Sequence, residues 1–417
     1  MVRVLVFSTL YPNAAQPNHG VFLENRLRHT LEFGGVEATV IAPVPYFPSA
    51  SPVFGRYATF ARAPERETRQ GLEVLHPRYL VIPKLGIPWT PEFMFRSALK
   101  TVRELQAQGH TFDVIDAHYF YPDGVAAARL GQALKLPVVI TGHGTDLTLI
   151  PETPNLRSQI QWAAHKASAL VTVAEDLRRK LIGLGAPEAR TLVLRNGVDL
   201  KRFRPVDRDV ARAALGVEGF VLVSVGSLIP RKGHDLTIEA LTRHTDCTLL
   251  IAGSGPIRGE LEALAQRLGV ANRVRFLGEV PHHDLPMVYS AADVMVLASA
   301  REGWANVLME SMACGVPVLA TDVNGTRECI RSPAAGLLLR NRTPAALAGM
   351  LEKLRGAMPS REATRRYSEG FGWEEVGRAN RALLTAVGAD GFEHRRSVEN
   401  VREARRHLAA ASLEGVD

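Results

Sequence analysis

The sequence predicts an α/β protein made of two doubly wound parallel-sheet domains. Short apolar runs typical of buried strands alternate with amphipathic stretches typical of helices, and this alternation occurs twice, before and after residues 200–215. Such alternation is typical of parallel sheets that carry helices on both faces. The chain has 417 residues, too many for one typical hydrophobic core. We expect the two domains to face a central cleft that binds a small ligand.

The boundaries follow from where the alternation stops and restarts. We place a first domain at residues 1–199, a linker at 200–215, a second domain at 216–370, a helix that crosses back to the first domain at 371–390, and a basic tail at 391–417. Residues 43–69 show no clear period and are interpreted as a long irregular insertion. The expected strands are 2–8, 39–42, 72–80, 112–117, 137–141, 169–173 and 191–194 in the first domain, and 220–225, 247–252, 274–277, 294–298, 316–321 and 336–339 in the second.

Composition indicates an ordinary globular protein, with 46% hydrophobic and 22% charged residues. The three cysteines are scattered, which predicts a reduced, cytoplasmic chain without a disulfide framework or zinc spacing. The amino-terminal residues read as a first strand rather than a secretory signal. No window approaches 18 uninterrupted apolar residues, so we expect no membrane-spanning segment.

The net charge of +7 fits nucleic acid, anionic lipid or a phosphorylated substrate. The sequence lacks the interleaved aromatic and basic residues that stack bases, which disfavours nucleic acid. Much of the positive charge lies in residues 355–366 and in the tail. Attachment to an anionic membrane surface and a merely solvated basic surface both remain open.

The stretch 301–315 carries the strongest site signal. Glu302 lies in a loop after an apolar strand, and Glu310 lies on the second turn of a helix that begins near Asn306. The loop is therefore expected at the carboxyl end of a parallel sheet, where α/β folds bind ligands. The backbone N–H groups of Asn306 and Val307 would lie at the positive end of that helix. Two carboxylates beside an anion site suit a ligand that combines phosphates with hydroxyl groups.

Two further loops of the second domain follow the same logic. Arg231 and Lys232 lie between a strand that ends at Gly226 and a helix that starts near Gly233. A planar guanidinium beside a point charge matches a diphosphate, although such a pair is more often surface charge. The loop at Gly253 follows the next strand and could let a base or ribose approach the backbone.

The first domain offers three candidate positions. Gly20 precedes the first helix, so the neighbouring backbone N–H groups could face a phosphate. His118 and His143 follow two neighbouring strands, and Asp146 lies in the same loop as His143. Histidines at adjacent strand ends are candidates for orienting hydroxyl groups, whereas a lone histidine is usually structural or solvated.

No metal site is predicted. The run from His282 to Asp284 resembles a ligand cluster, but consecutive residues rarely converge on one metal. Residues 207–209 resemble an Asp-x-Asp signature, but they lie in the linker before a helix, so an N-cap role is the better interpretation. We therefore expect neither a metal nor a cofactor.

Taken together, these residues resemble a known family. Glu302 and Glu310 resemble the E-x7-E signature of the retaining glycosyltransferases of family 4, which have the GT-B fold. Residues 226–233, 196–199, 142–146 and 371–374 and Gly20 resemble family landmarks in the expected order. The resemblance covers most of residues 1–390.

The resemblance implies a nucleotide-sugar donor, such as a UDP-sugar or GDP-mannose, and a saccharide or lipid-linked saccharide acceptor. Arg231 and Lys232 would hold the leaving diphosphate, Glu302 the transferred sugar and Glu310 the ribose hydroxyls. Members of the family need no metal for this step. Further donor contacts would come from Gly20, Gly226, Ser227, Gly253, Asn306 and Val307, while His143 would lie by the anomeric centre and His118 and Asp146 on the acceptor side.

Residues 324–328 depart from the family pattern, because many members carry a Gly-Gly pair where this chain has Asn324 and Gly325. Residues 11–22 resemble members that build envelope or exported polysaccharides. The function predicted is thus a retaining, metal-independent glycosyltransferase of envelope or exopolysaccharide biosynthesis. We expect it to be cytoplasmic, with attachment to the inner face of the plasma membrane as the open alternative to a solvated surface. The alternatives are a sugar-nucleotide 2-epimerase on the same fold, or a non-catalytic sugar-nucleotide-binding protein.

Overall fold

The computed structural model describes residues 1–82 and 85–391. Its contacts divide the chain into two compact units. Unit 1 consists of Met1–Asn196 and the helix Trp373–Asp390, and unit 2 consists of Gly197–Gly372. The division falls three residues before the boundary predicted at residue 199.

Unit 1 contains an eight-stranded sheet in the order β10-β9-β8-β7-β1-β2-β5-β4, and β3 and β6 form a separate pair. Its strands are β1 (Val2–Phe7), β2 (Val36–Ile41), β3 (Val44–Pro45), β4 (Arg66–Arg69), β5 (Leu72–Leu75), β6 (Arg78–Tyr79), β7 (Val114–His118), β8 (Val138–Gly142), β9 (Ala169–Thr172) and β10 (Thr191–Val193). Its helices before residue 197 are α1 (Val21–Glu32), α2 (Arg56–Arg62), α3 (Thr90–Ala107), α4 (Val125–Leu134), α5 (Thr145–Thr148), α6 (Pro154–Lys166) and α7 (Glu175–Gly183).

The region after β2 differs from the sequence-based expectation. The insertion at 43–69 is not irregular, because it contains β3, α2 and β4. The strand expected at 72–80 is divided into β5 and β6, which join different sheets. The edge strand β4 runs antiparallel to β5, so the sheet is not purely parallel. All four residues of β4 are polar, and the apolar alternation that marks a half-buried strand is therefore missing.

Unit 2 contains a six-stranded sheet, all parallel, in the order β13-β12-β11-β14-β15-β16. Its strands are β11 (Phe220–Val225), β12 (Cys247–Ala252), β13 (Val274–Gly278), β14 (Val294–Leu297), β15 (Val318–Thr321) and β16 (Gly336–Leu339). Its helices are α8 (Arg208–Leu215), α9 (His234–Ala240), α10 (Arg258–Arg267), α11 (Leu285–Ala291), α12 (Asn306–Ala313), α13 (Thr326–Cys329), α14 (Pro344–Gly356) and α15 (Arg361–Glu369).

Each sheet has a point at which the strand order reverses. In unit 1 the chain leaves β1 toward β2 and later returns to place β7 on the other side of β1. In unit 2 it leaves β11 toward β12 and β13 and then places β14 on the other side of β11. Loops that follow the two strands at such a switch point diverge and leave a crevice for ligands.

The predicted linker is helical in its second half. Helix α8 begins at Arg208, and its preceding residue Asp207 accepts hydrogen bonds from the backbone N–H groups of Asp209 and Val210 through Oδ1 at 3.0 Å. Asp207 is therefore an N-cap, which confirms the interpretation made from the sequence.

The last described helix, α16 (Trp373–Asp390), packs on α1 within unit 1. The Trp373 and His29 rings stack with centroids 6.1 Å apart, and Asn380 Nδ2 donates to Thr30 Oγ1 at 3.1 Å. The predicted basic tail from residue 392 lies outside the described residues. Among the residues that the structure describes, no helix is long and apolar enough to cross a membrane.

Candidate functional site

The switch point of unit 2 brings three predicted residues together. The backbone N–H of Ala300 donates to the Arg231 carbonyl at 2.8 Å, which ties the loop after β11 to the loop after β14. Lys232 Nζ lies 2.7 Å from Glu302 Oε1, and Arg231 Nη1 lies 3.4 Å from the same oxygen. Arg231 Nη1 also donates to the Arg301 carbonyl at 2.8 Å. We call Arg231, Lys232 and Glu302 the cation cluster.

The cation cluster is only partly exposed and carries a surplus positive charge. Its side chains are 28%, 14% and 9% exposed for Arg231, Lys232 and Glu302 respectively. Two cations share one carboxylate, so one unit of positive charge remains. In a half-buried site this charge is less screened than on an open surface. The arrangement therefore suits a polyanion that offers several oxygen acceptors.

Gly226 and Gly253 have a packing explanation. Gly253 has φ +150°, and a Cβ built on it would lie 1.9 Å from the Gly226 carbonyl oxygen. The two loops after β11 and β12 thus meet backbone to backbone, which a side chain at Gly253 would prevent. Ser227 follows Gly226 and is exposed. The donor contacts assigned to these three residues stay predictions.

Helix α12 begins at Asn306, as predicted, and places Val307 in its first turn. Glu310 lies on the second turn and is buried, with 8% of its surface exposed. Its Oε1 accepts a hydrogen bond from His282 Nε2 at 3.1 Å, and its Oε2 accepts one from the Tyr289 hydroxyl at 3.0 Å.

His282 and Tyr289 were missed by reasoning from the sequence. Tyr289 is completely buried, and burial together with the Glu310 carboxylate raises its pKa well above the usual value. Its hydroxyl is therefore a hydrogen-bond donor to Glu310 at neutral pH. The one sequence feature that could have indicated His282 is the run 282–284, which resembles a metal-ligand cluster but gives no sign of a contact with Glu310.

The carboxyl edge of the unit 1 sheet brings His118 and His143 together beside the start of α1, which follows Gly20. Gly20 lies directly before α1, and the next residue but one, Phe22, contacts the His143 ring with centroids 5.0 Å apart. His118 Nδ1 lies 3.2 Å from His143 Nε2. On its other side, His118 Nε2 lies 3.4 Å from Asp116 Oδ2. Asp116, which the sequence analysis did not identify, thus ends a chain of three polar side chains.

The direction of the hydrogen bonds that link Asp116, His118 and His143 follows from which of their atoms can accept a hydrogen bond. An ionised carboxylate only accepts, so the neutral form of His118 carries its proton on Nε2, facing Asp116. His118 Nδ1 then accepts from His143 Nε2–H, and the lone pair of His143 lies on Nδ1. Burial, His118 and the nearby Arg26 cation lower the pKa of His143 well below its usual value. His143 is therefore a neutral imidazole with an acceptor nitrogen.

Asp146 does not fit the acceptor-side role given to it. It is fully buried, and its carboxylate accepts from the backbone N–H groups of Phe120 at 2.8 Å, Gly144 at 2.7 Å and His143 at 3.1 Å. A carboxylate enclosed by three backbone donors holds the loop after β8 in shape. We therefore correct its assignment from contacting an acceptor to fixing the backbone beside His143.

Arg26 is another residue of unit 1 that the sequence analysis missed. It lies on α1 with 1% exposure, and its Nη2 donates to the Leu194 carbonyl at 2.7 Å. Burial lowers its pKa to about 10, and Asp116 partly opposes this shift. A buried cation among apolar strands gives no periodic signal in a sequence, because it occupies a position where an apolar residue is expected.

Within the described ranges, 1–82 and 85–391, no group of three or more His, Cys, Asp or Glu residues has the arrangement of a metal site.

The Asn324 backbone has φ +43°, a left-handed conformation that asparagine tolerates better than most residues. Asn324 stands where the resemblance leads us to expect a glycine, and it adopts a conformation that glycine favours.

Comparison with known proteins identifies the family. Residues 27–202 match the family described as Glycosyltransferase Family 4, and residues 207–370 match the family described as Glycosyl transferases group 1. The chain is 31% identical to the D-inositol 3-phosphate glycosyltransferase of Geodermatophilus obscurus over 366 residues, which cover 80% of each protein. It is 30% identical to TuaC of Bacillus subtilis, a glycosyltransferase ascribed to teichuronic acid biosynthesis, over 335 residues, or 78% of this chain and 82% of TuaC.

Solved structures agree on the architecture. Sucrose-phosphate synthase from Thermosynechococcus elongatus superposes with a TM-score of 0.72 at 20% identity, covering 99% of this chain and all of that one. HepE from Anabaena, solved in complex with UDP, superposes with a TM-score of 0.66 at 20% identity, covering 98% of this chain and all of that one. At this level of identity the likeness shows the fold. The chain therefore belongs to the family 4 type of glycosyltransferases and has the GT-B fold, as its sequence predicted.

Proposed function

We propose that this protein is a retaining, metal-independent glycosyltransferase that moves a sugar from a nucleoside-diphosphate sugar to an acceptor in envelope or exopolysaccharide biosynthesis. The observation that carries the proposal is the cation cluster at the switch point of unit 2. Glu302 of this cluster lies in the loop that leads directly into α12, and the positive end of that helix also favours an anion.

In the proposed reaction the bond between the anomeric carbon and the diphosphate oxygen breaks, and a bond from that carbon to an acceptor hydroxyl oxygen forms. The nucleoside diphosphate leaves with the bonding electrons, and its departing oxygen takes up the proton that the acceptor hydroxyl loses. Arg231 and Lys232 stabilise the negative charge that develops on the leaving diphosphate. One well-placed donor typically contributes ~2.7–4 kcal/mol to such a step. Glu302, released from part of its cation contacts, accepts hydrogen bonds from hydroxyls of the transferred sugar.

Metal independence is proposed because two fixed cations supply the charge that a divalent ion would otherwise provide. Retention of configuration is carried over from the resemblance of Glu302 and Glu310 to the family signature. The neutral imidazole of His143 is proposed to lie by the anomeric centre, where its Nδ1 lone pair can accept a hydrogen bond from a sugar hydroxyl. His118 is proposed on the acceptor side.

The relatives guide the choice of substrates. HepE has been solved with UDP-glucose, which makes UDP-sugars the first donors to examine and GDP-mannose the second. TuaC, through its ascribed role in teichuronic acid biosynthesis, supports an envelope polysaccharide as the product. We propose a saccharide or lipid-linked saccharide as the acceptor, with the protein cytoplasmic and peripheral to the membrane.

An exposed apolar surface on unit 1 supports the peripheral location. Thirteen large hydrophobic side chains of the described residues are exposed, and eight of them lie between residues 46 and 89. We call these eight the apolar patch: Tyr46, Val53, Phe54, Leu80, Ile82, Leu85, Ile87 and Trp89.

Two contacts bring parts of the apolar patch close together. The Tyr46 backbone N–H donates to the Tyr79 carbonyl at 2.8 Å, which places Tyr46 beside Leu80. The Phe47 ring lies 5.3 Å from that of Phe54, centroid to centroid. Tyrosine and tryptophan beside aliphatic side chains are typical of surfaces that enter the headgroup region of a bilayer.

The charge around the apolar patch complements an anionic bilayer. Residues 43–107 contain nine Lys and Arg against five Glu, an excess of four out of the chain's total of seven. By contrast, residues 391–417 contain five Arg and five Asp or Glu, so the tail is not basic on balance. We therefore assign the proposed membrane contact to the apolar patch rather than to the tail.

A transfer assay tests the proposed function. Purified protein is incubated in EDTA with UDP-sugars or GDP-mannose and with saccharide or lipid-linked acceptors, and the anomeric configuration of the product is read by NMR. We expect one donor to be consumed in the presence of an acceptor, with the donor's configuration retained. Inversion, or a strict requirement for a divalent metal, would contradict the proposal, and donor turnover that needs no acceptor and alters the sugar at C2 would favour the epimerase.

A further inference from the structure

The Glu310 carboxylate has two side-chain donors and spare acceptor capacity. Each carboxylate oxygen can accept about two hydrogen bonds. His282 Nε2 occupies one position on Oε1, and the Tyr289 hydroxyl occupies one position on Oε2. One acceptor position therefore remains on each oxygen. Two adjacent oxygens with one free position each match two adjacent hydroxyl groups, such as those of a ribose.

The protonation of His282 is determined by its other neighbour. Arg202 Nη1 lies 3.0 Å from His282 Nδ1. A guanidinium only donates hydrogen bonds, so Nδ1 must accept and cannot carry a proton. His282 is therefore the neutral tautomer protonated on Nε2, which is the atom that faces Glu310. Arg202 thus ensures that His282 donates to the carboxylate.

The ring orientation of His282 is fixed by packing. Phe203 is buried, and its ring meets that of His282 edge to face, with centroids 5.0 Å apart and an interplanar angle of 73°. The Phe203 carbonyl in turn accepts from Arg365 Nη1 at 2.6 Å. Two contacts therefore hold the segment that carries Arg202 and Phe203 in unit 2: the ring packing of Phe203 on His282 and the hydrogen bond from Arg365.

We propose that His282 is a positioning residue, which aims the Glu310 carboxylate at the 2′ and 3′ hydroxyls of a ribonucleoside diphosphate, and that Arg202 sets the tautomer it needs. The inference rests on the proposed function, since it assumes that the donor's nucleoside binds at Glu310. On this proposal, His282 and Arg202 together make the protein prefer ribonucleotides to deoxyribonucleotides.

The test compares nucleotides with and without the two hydroxyls. The probe is whichever of UDP, GDP and ADP gives the wild type its largest melting shift, together with the 2′,3′-dideoxy form of the same nucleotide. Dissociation constants are measured by calorimetry for the wild type, His282→Ala and the control His283→Ala. His283 is the adjacent histidine, and its side chain is 76% exposed.

We expect His282→Ala to weaken binding of the ribonucleotide by ~10-fold and to change binding of the dideoxy form by less than ~2-fold, because only the hydroxyl contacts depend on the carboxylate's aim. In steady-state kinetics the KM for the donor should rise while kcat stays nearly constant, since the ribose contact is the same in ground and transition states. His283→Ala should leave both dissociation constants unchanged.

Arg202→Ala is the second variant, with the neighbouring exposed Lys201→Ala as its control. We expect Arg202→Ala to reduce the preference for the ribonucleotide in the same direction, without a change for Lys201→Ala. Equal losses for the two nucleotide forms, or unchanged discrimination in both His282→Ala and Arg202→Ala, would overturn the inference. Failure of the wild type to bind any nucleoside diphosphate would instead overturn the proposed function.

Discussion

At the residue scale, the site in unit 2 depends on charges that meet because two strands are neighbours. Arg231 and Lys232 follow β11, Glu302 follows β14, and these strands adjoin at the switch point. Their convergence could be predicted, because the carboxyl ends of parallel strands share one edge of a sheet. The contacts of His282 and Tyr289 with Glu310 could not be predicted, since they depend on how α11 and the loop before it pack against α12.

Removing both cations of the cluster tests its assigned role. Arg231→Ala combined with Lys232→Ala should lower turnover by at least ~10²-fold, because the charge developing on the diphosphate loses its stabilisation. The measurement is kcat for sugar transfer, with circular dichroism to check folding. As a control, Arg96→Ala with Lys100→Ala removes two exposed cations of α3 and should leave kcat unchanged. Near-normal turnover in a folded double variant would remove the pair from the site.

His234 should make the protein sensitive to acid. His234 is the first residue of α9 and is 1% exposed. Burial lowers its pKa to about 4, and the Lys232 cation makes a smaller contribution in the same direction. A histidine in the unfolded chain takes up a proton near pH 6.5. The contribution of His234 to the free energy of unfolding is therefore fully present above pH 6.5. As the pH falls toward 4, the free energy of unfolding decreases by up to about 3 kcal/mol, because the unfolded chain binds the proton first.

Melting temperatures between pH 7 and pH 4 measure this effect. His234→Asn should flatten the decline, whereas the exposed His110→Gln should leave its slope unchanged. An equally steep decline in His234→Asn would show that other groups cause the acid sensitivity.

At the element scale, the buried strands were predictable and the insertion was not. Apolar runs such as the one that forms β14 indicate a strand buried on both faces. The polar edge strand β4 and the short strands β3 and β6 have no such signal, so they were interpreted as irregular or as part of another strand. Residues 46–89, which include most of the insertion, nevertheless carry eight of the thirteen large apolar side chains that are exposed among the described residues.

The apolar patch makes a prediction about vesicle binding. Val53→Asp with Leu85→Asp, both 82% exposed, should lower binding to anionic vesicles at least ~10-fold without unfolding the protein. Cosedimentation with anionic and zwitterionic vesicles measures it. Val210→Asp, which is 57% exposed on α8, is the control and should bind as the wild type does. If the double variant still binds normally, the patch has no membrane role.

The packing of α16 on α1 depends on a close approach at Gly377. A Cβ built on Gly377 would lie 2.4 Å from the His29 carbonyl oxygen, which is backbone and cannot move aside easily. Gly377→Ala should therefore destabilise the protein by about 1–3 kcal/mol. Gly349→Ala is a matched control in α14, where a Cβ meets nothing within 4 Å, and it should stabilise by about 0.5–1 kcal/mol. Chemical denaturation measures both, and equal effects would contradict this packing.

At the scale of the whole molecule, family and fold could be predicted because ordered motifs extend over most of the chain. The positions of Asp146 and Arg26 could not, since both are polar side chains buried where neither periodicity nor spacing marks them. Asp146 shares a loop with His143, and the family resemblance implied a place for it on the acceptor side. Only its three backbone donors reveal that it fixes the loop instead.

The most direct test of the proposed function measures nucleotide binding by the cation cluster. Melting curves are recorded in EDTA with UDP, GDP and ADP, for the wild type and for Arg231→Ala with Lys232→Ala. A ligand at 100 times its dissociation constant stabilises a protein by ~2.7 kcal/mol. We expect one nucleoside diphosphate to raise the wild-type melting temperature and to have no effect on the double variant. A wild type that responds to none of them, or a double variant that responds equally, would contradict the assignment of this site to a nucleotide-sugar donor.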